Sequence, residues 1–181
     1  MQPVTFNTLI ARNKRNSYLL IAFFMLFFVA FGVLIGEVWG QGDRTFRVGV
    51  PVAAGALAFL LTLFSYFGGP SALLGMSNAR QIAKSDDPEL FNVIEELAIA
   101  GGTPMPRVFV IDSPAMNAFA TGRNPKHAAV AITAGLRHKL SRDELQGVMA
   151  HELCHIRNYD ILYSMLMAVL VGTLVMLADV F

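Results

Sequence analysis

The chain has 181 residues, of which 55% are hydrophobic and only 15% charged, and its mean hydropathy of +0.53 is too high for an ordinary soluble domain of this length. A formal net charge of +1 and a pI near 7.9 leave no polybasic or polyacidic field, so composition points to no nucleic-acid partner and no acidic one. Cys154, the only cysteine, excludes an internal disulfide framework and suits a folded part that faces a reducing compartment.

The apolar excess is concentrated in runs. A leader over residues 1–16 carries Arg12, Lys14 and Arg15, and the stretch 17–36, "SYLLIAFFMLFFVAFGVLIG", contains no charge. At about 1.5 Å per residue a helix of that length covers the roughly 30 Å hydrocarbon layer of a bilayer. Residues 48–67, "VGVPVAAGALAFLLTLFSYF", do the same, and the polar, glycine-bearing link between the runs marks a helical hairpin with a small external loop. A cleaved signal peptide is the competing reading of the first run, but the run is long, follows the leader and shows no A-x-A-like cleavage site. Arg12, Lys14 and Arg15 before the first span, with Arg80 and Lys84 after the second, outnumber Arg44 and Arg47 in the loop, which places both ends of the hairpin inside. Gly32 and Gly36 form a G-x-x-x-G pair, which has two readings, a packing face and a coincidence of composition; composition is preferred.

Residues 69–160 have the composition of a globular domain. In "DDPELFNVIEELAIAGG" Asp87 is placed as an N-cap and Pro88 at the first helical position, with Leu90, Val93, Ile94 and Leu97 in helical period and Gly101 as terminator. "PRVFVIDS" reads as a short strand, "NAFATG" as a strand or turn and "HAAVAIT" as another strand. The last of these is expected to lie at a sheet edge and to receive an extended peptide substrate. Ser141 and Glu144 stand in capping-box spacing at the start of "LSRDELQGVMAHELCHIRN", so this segment opens as a helix. Residues 161–181 form a third hydrophobic segment.

That helix brings His151 and His155 onto one face, about 40° apart and one turn from each other. Both imidazoles can reach one ion. Leu153 lies opposite them, with Leu145, Met149 and Ile156 on its side, an apolar stripe that buries the helix and leaves the histidines toward a cleft. Glu152 sits on the flank of the histidine face. Zinc takes neutral imidazole nitrogens at about 2.0–2.1 Å, keeps a position for water in a catalytic site and lowers the pKa of that water to about 7. A carboxylate alongside can accept its proton and deliver it to a leaving amine, so H-E-x-x-H suits peptide hydrolysis without a covalent intermediate. Glu152 is therefore the expected acid/base and His151 and His155 the expected ligands of one Zn2+ ion. Cys154 is expected to be a small buried packing residue, and His127 and His138, in polar basic surroundings, to be solvated. Asp160 lies about 140° around a continuous helix from His155 and would face away from the ion unless the helix breaks near Asn158; capping that helix or orienting a ligand is its expected role.

The hairpin, "MPRVFVIDSPAMNAFATG", "HAAVAITAGL" and "HELCHIRNYDILYSM" together resemble the HtpX-type membrane-bound zinc metalloproteases, relatives of the CaaX prenyl proteases. The resemblance implies an α+β zincin-like metalloprotease domain behind a two-helix transmembrane hairpin. It also implies an integral endopeptidase of the bacterial inner membrane, its catalytic domain facing the cytoplasm, that degrades unfolded or damaged membrane proteins. By the same resemblance His151 and His155 bind zinc, Glu152 is catalytic, and the third ligand is a glutamate that follows a further hydrophobic region. No glutamate follows Glu152 in this chain, so the 181 residues read as an N-terminal fragment, inactive alone, whose third span is cut off. A noncatalytic membrane-anchored binding module is the alternative.

Arginine at Leu26 or Leu60 is expected to impair membrane insertion, at a cost of roughly 2.5–3.5 kcal/mol near a span centre. Carbonate extraction of membranes checks this, because the variants should shift toward the soluble fraction while the parent stays in the pellet.

Overall fold

Helix α1 runs from Phe6 to Trp39 and α2 from Arg44 to Met76, in a computed structural model that describes residues 6–180. For residues 6, 7, 173, 176–178 and 180 the backbone alone is described. Residues 1–5 of the expected leader and Phe181 of the last hydrophobic segment lie outside the described residues. Both helices outrun the stretches 17–36 and 48–67, α1 through Arg12, Lys14 and Arg15 and α2 through Gly68, Gly69 and Pro70, and both are long and apolar enough to cross a membrane. Gln41 and Gly42 turn the chain with positive φ of 40° and 90°, and the Asp43 carboxylate accepts from the Thr45 N–H to start α2.

The hairpin closes on its glycines. A β-carbon on Gly32 would stand 2.9 Å from Cβ of Ala54 and from Cα of Pro51, and one on Gly36 would stand 3.1 Å from the Arg47 carbonyl oxygen. The G-x-x-x-G pair is thus a packing face, which corrects the preference for coincidence: backbone approaches this close admit no side chain. Away from the seam, Leu26 and Leu60 are 69% and 61% exposed, an apolar surface suited to contact with lipid.

After the hairpin come β1 (Ala79–Gln81), α3 (Pro88–Gly101), β2 (Arg107–Ile111), β3 (Ala118–Gly122), a 3-10 turn at Pro125–His127, β4 (Ala128–Thr133), α4 (Ala134–Lys139), α5 (Arg142–Arg157) and α6 (Asp160–Val180). The sheet order is β1-β2-β4-β3. β4 pairs in parallel with β2 and antiparallel with β3, so both its edges are occupied and all six of its residues are buried. This overturns the expectation that residues 128–133 take a substrate strand. The edge strands are β1 and β3. Small side chains in "AAVAIT" let helices pack on one face while Phe109 and Leu74 close the other.

Asp87 caps α3 by accepting from the Leu90 N–H, and Gly102, at φ 63°, ends it in the left-handed conformation; the helix therefore terminates one residue beyond the glycine expected. Leu90, Val93 and Ile94 meet Leu145, Met149 and Ile156 of α5 in the domain core. α6 leaves this core and packs on the hairpin, where Leu162, Met165, Leu166 and Leu170 join Phe24, Phe28 and Ala58. Two long apolar helices followed by a small mixed sheet with helices make the chain α+β.

Asp87 also receives two bonds from the Arg137 guanidinium, at 2.7 and 3.0 Å. Burial raises its carboxyl pKa, but Arg137 and the Leu90 N–H outweigh burial and hold it below the ordinary value. The charge-dependent part of its contribution is therefore complete above the ordinary carboxyl range and is lost as pH falls through the depressed value. Asp87→Ala is expected to cost about 2–3 kcal/mol at neutral pH, and Asp87→Asn, which can still cap, about half of that. Thermal melting in detergent checks both, and in strong acid the parent should approach Asp87→Asn in stability.

Candidate metal centre

The Ser141 side chain caps α5 at the Glu144 N–H while the Glu144 carboxylate accepts from the Ser141 N–H at 2.9 Å, a completed capping box. Leu145, Met149, Leu153 and Ile156 are buried along one side of the helix. Burial of that stripe sets the rotation of α5 and aims the histidines outward. His151 and His155 stand with their Nε2 atoms 3.1 Å apart and their rings almost perpendicular, at 87°. Two bonds of about 2.0–2.1 Å to one zinc ion at a near-tetrahedral angle set their nitrogens about 3.3 Å apart, so the pair fits the ion without rearrangement of the helix.

α5 stops at Asn158. Tyr159 has a φ of 62°, and the chain re-enters a helix at Asp160 in a new direction, which brings the Asp160 Oδ2 within 3.0 Å of His155 Nδ1. A carboxylate there fixes the imidazole proton on Nδ1 and leaves Nε2 as the lone-pair donor. Nδ1 and Nε2 lie on different edges of the ring, so Asp160 is placed to orient His155 and not to reach an ion held at Nε2. Among the described residues no group of three or more His, Cys, Asp and Glu converges.

Asp160 is itself held from the membrane hairpin. The Asn13 side-chain amide donates to the Asn158 carbonyl at 3.0 Å and to Asp160 Oδ1, and the Lys14 ammonium lies 4.2 Å above the Tyr159 ring. Sequence reasoning missed Asn13, since one asparagine in "ARNKRN" carries no signal until the fold brings it to the end of α5.

Glu152 is half-buried beside the histidines. Burial raises its carboxyl pKa above the ordinary value, opposed by His155, by His151 and by the Ala120 N–H of β3, which faces it. The edge strand beside the histidines is thus β3. Cys154 is exposed, contrary to the expected packing role, because it lies between Leu153 and His155 outside the apolar stripe. His127 and His138 are exposed, apart from His151 and His155.

Residues 84–180 match the sequence profile of Peptidase family M48, and the chain belongs to that family. It is similar to proteins named Protease HtpX homolog, which bears out the resemblance drawn from the sequence. The relative from Lactobacillus acidophilus is 41% identical over 166 residues, covering 91% of this chain and 54% of the relative. The one from Tropheryma whipplei is 44% identical, covering 94% and 56%, and the one from Streptococcus pneumoniae 40%, covering 93% and 55%. The chain spans about half the length of these curated relatives.

Loss of the carboxylate that orients a zinc-binding histidine typically weakens metal binding about 10- to 100-fold. Asp160→Ala is expected to weaken zinc binding by that factor, and Asn13→Ala by less, since it removes a support one step further out. Competition for zinc against a chromophoric chelator checks the order.

Proposed function

We propose that this chain carries the membrane anchor and the zincin-like HExxH helix of a zinc-dependent endopeptidase. In this reading it cleaves unfolded or damaged membrane proteins at the cytoplasmic face of the bacterial inner membrane. The observation that carries the reading is the 3.1 Å approach of the two Nε2 atoms, with a half-buried Glu152 on their flank. When bound, zinc supplies Lewis acidity, polarising a carbonyl and acidifying water. His151 and His155 hold the ion through Nε2, and a glutamate following the α6 region, by the resemblance, completes the set. Asp160 keeps the His155 ring in place. Glu152 takes a proton at its carboxylate and returns it to the leaving amine, and the burial that lifts its pKa suits a group that must hold that proton between the two steps.

The outer edge of β3 presents its amides in the same region. An extended peptide added there, antiparallel or parallel, gains main-chain hydrogen bonds irrespective of its side chains, as a protease for unfolded segments requires. β3 replaces β4 in this role because its outer edge pairs with no strand among the described residues.

Glu152→Gln keeps shape while removing the base. In the full-length enzyme it is expected to retain zinc and to lose about 10²- to 10⁴-fold in turnover, whereas His151→Ala and His155→Ala should lose zinc and turnover together. Zinc content by atomic absorption beside casein cleavage separates the cases. A Gln variant as metal-poor as the His variants would make Glu152 a ligand and refute the assignment.

A further inference from the structure

Six cations of the domain divide by partner. Lys84, Arg137 and Arg142 each lie 2.7 Å from a carboxylate, those of Glu95, Asp87 with Glu89, and Glu96. Arg107, Arg123 and Lys126 have no carboxylate partner among the described residues. These three converge instead on one cleft of about 330 Å³, joined by His127 and closed on the far side by Phe67 and Pro70 of α2. No Asp or Glu lines it. Their positions follow from the fold: Arg107 opens β2, and the other two sit in the β3–β4 connection, which the sheet register holds beside the start of β2.

Two features give the cleft an apolar side. The Arg123 guanidinium lies 5.2 Å over the Phe67 ring, and Phe64 and Phe67 are 58% and 59% exposed on the outer surface of α2. Phe67 also ends the apolar stretch 48–67, just before Gly68, Gly69 and Pro70. The hairpin pairs Gly36 with Arg47, Gly32 with Pro51 and Val29 with Gly55, and the same antiparallel register sets Phe67 about level with Ser17, where the first run begins. The cleft therefore opens at the height where hydrocarbon gives way to water, at the hairpin end that carries Arg12, Lys14 and Arg15.

We propose that this cleft binds the phosphodiester headgroup of an anionic phospholipid. Arg107 and Arg123 offer paired N–H donors that match phosphate oxygens, and Lys126 adds a point charge. Phe67 and Phe64 lie along the upper acyl carbons, as aromatic side chains do at membrane boundaries. Free phosphate shares the charge but has no use for the apolar wall, and an acidic peptide has no counterpart to it at bilayer height. The inference rests on the membrane placement of the hairpin.

The test takes the chain in neutral detergent and counts adducts by native mass spectrometry during titration with phosphatidylglycerol, phosphatidylcholine or inorganic phosphate. Phosphatidylglycerol is expected to bind in preference to phosphatidylcholine and to resist displacement by excess phosphate. Neutralising Arg107, Arg123 and Lys126 with glutamine is expected to weaken it by roughly fivefold per cation, the factor corresponding to about 1 kcal/mol for each basic residue at a membrane surface. The pair Arg80→Gln and Lys139→Gln, with cations outside the cleft, should leave it unchanged. Should the triple variant misfold, Lys126→Gln alone, on the exposed 3-10 turn, is expected to show one such step. Equal binding of the two lipids, displacement by phosphate or by an acidic peptide, or undiminished binding by the variants overturns the proposal. Failure of the membrane placement reads differently, as a chain that stays in solution without detergent.

Discussion

A continuous helix through residues 142 to 180 would carry Asp160 away from His155, and the site depends on its not being continuous. Tyr159 takes a left-handed backbone conformation, φ 62°, which costs a non-glycine residue on the order of 1–2 kcal/mol. Local bonds offset part of that, since the Asn158 N–H reaches the Cys154 carbonyl and the Tyr159 N–H that of Ile156. The remainder comes from α1, where Lys14 lies over the Tyr159 ring and Asn13 bonds to both flanking residues. The break aims a carboxylate at a histidine and redirects an apolar helix toward the hairpin in one step.

The hairpin is consequently more than a tether. α6 leaves the site at Asp160 and its buried face packs between Phe24, Phe28 and Ala58, so the segment that positions His155 is continuous with the segment that seats the domain on the membrane helices. A domain hung from a flexible linker would face the bilayer in many orientations. Here the contacts of Asn13 and Lys14 at one end of the seam, and of α6 along it, fix the histidine face relative to the hairpin axis.

What the sequence disclosed and what it hid divide by range along the chain. The spans, the capped α3, the Ser141–Glu144 box and the stripe of Leu145, Met149, Leu153 and Ile156 are decided within one or two turns, and periodicity reads such features directly. The pairing of His151 with His155 is of that kind. Strand order is decided by residues far apart, and β4 was misplaced at an edge although "AAVAIT" held a warning: an unbroken apolar run without alternation marks a strand covered on both faces and flanked on both sides. For Asp160 the sequence leaves two outcomes open, facing away along a continuous helix or reaching a ligand across a break near Asn158, and no sequence rule gives the Tyr159 positive φ that decides between them. The contact of Asn13 with Asp160 spans 147 residues, so no local pattern encodes it.

The same division explains why the position of Glu152 depends on a five-residue strand. β3 pairs with β4 through Ala120 opposite Val130, and amides along a strand point alternately to its two sides. With this register the Ala120 N–H faces outward to Glu152 and favours its ionised form against the burial that disfavours it. A slip of one residue would turn the Ala120 N–H into the sheet and move every β3 side chain to the opposite face. Gly122 guards against the slip: at φ 145°, with the His127 carbonyl oxygen 2.5 Å from where a β-carbon would stand, it is the residue that permits the tight return into β4. The strand beside the candidate base is in this way held in register by a turn several residues from it.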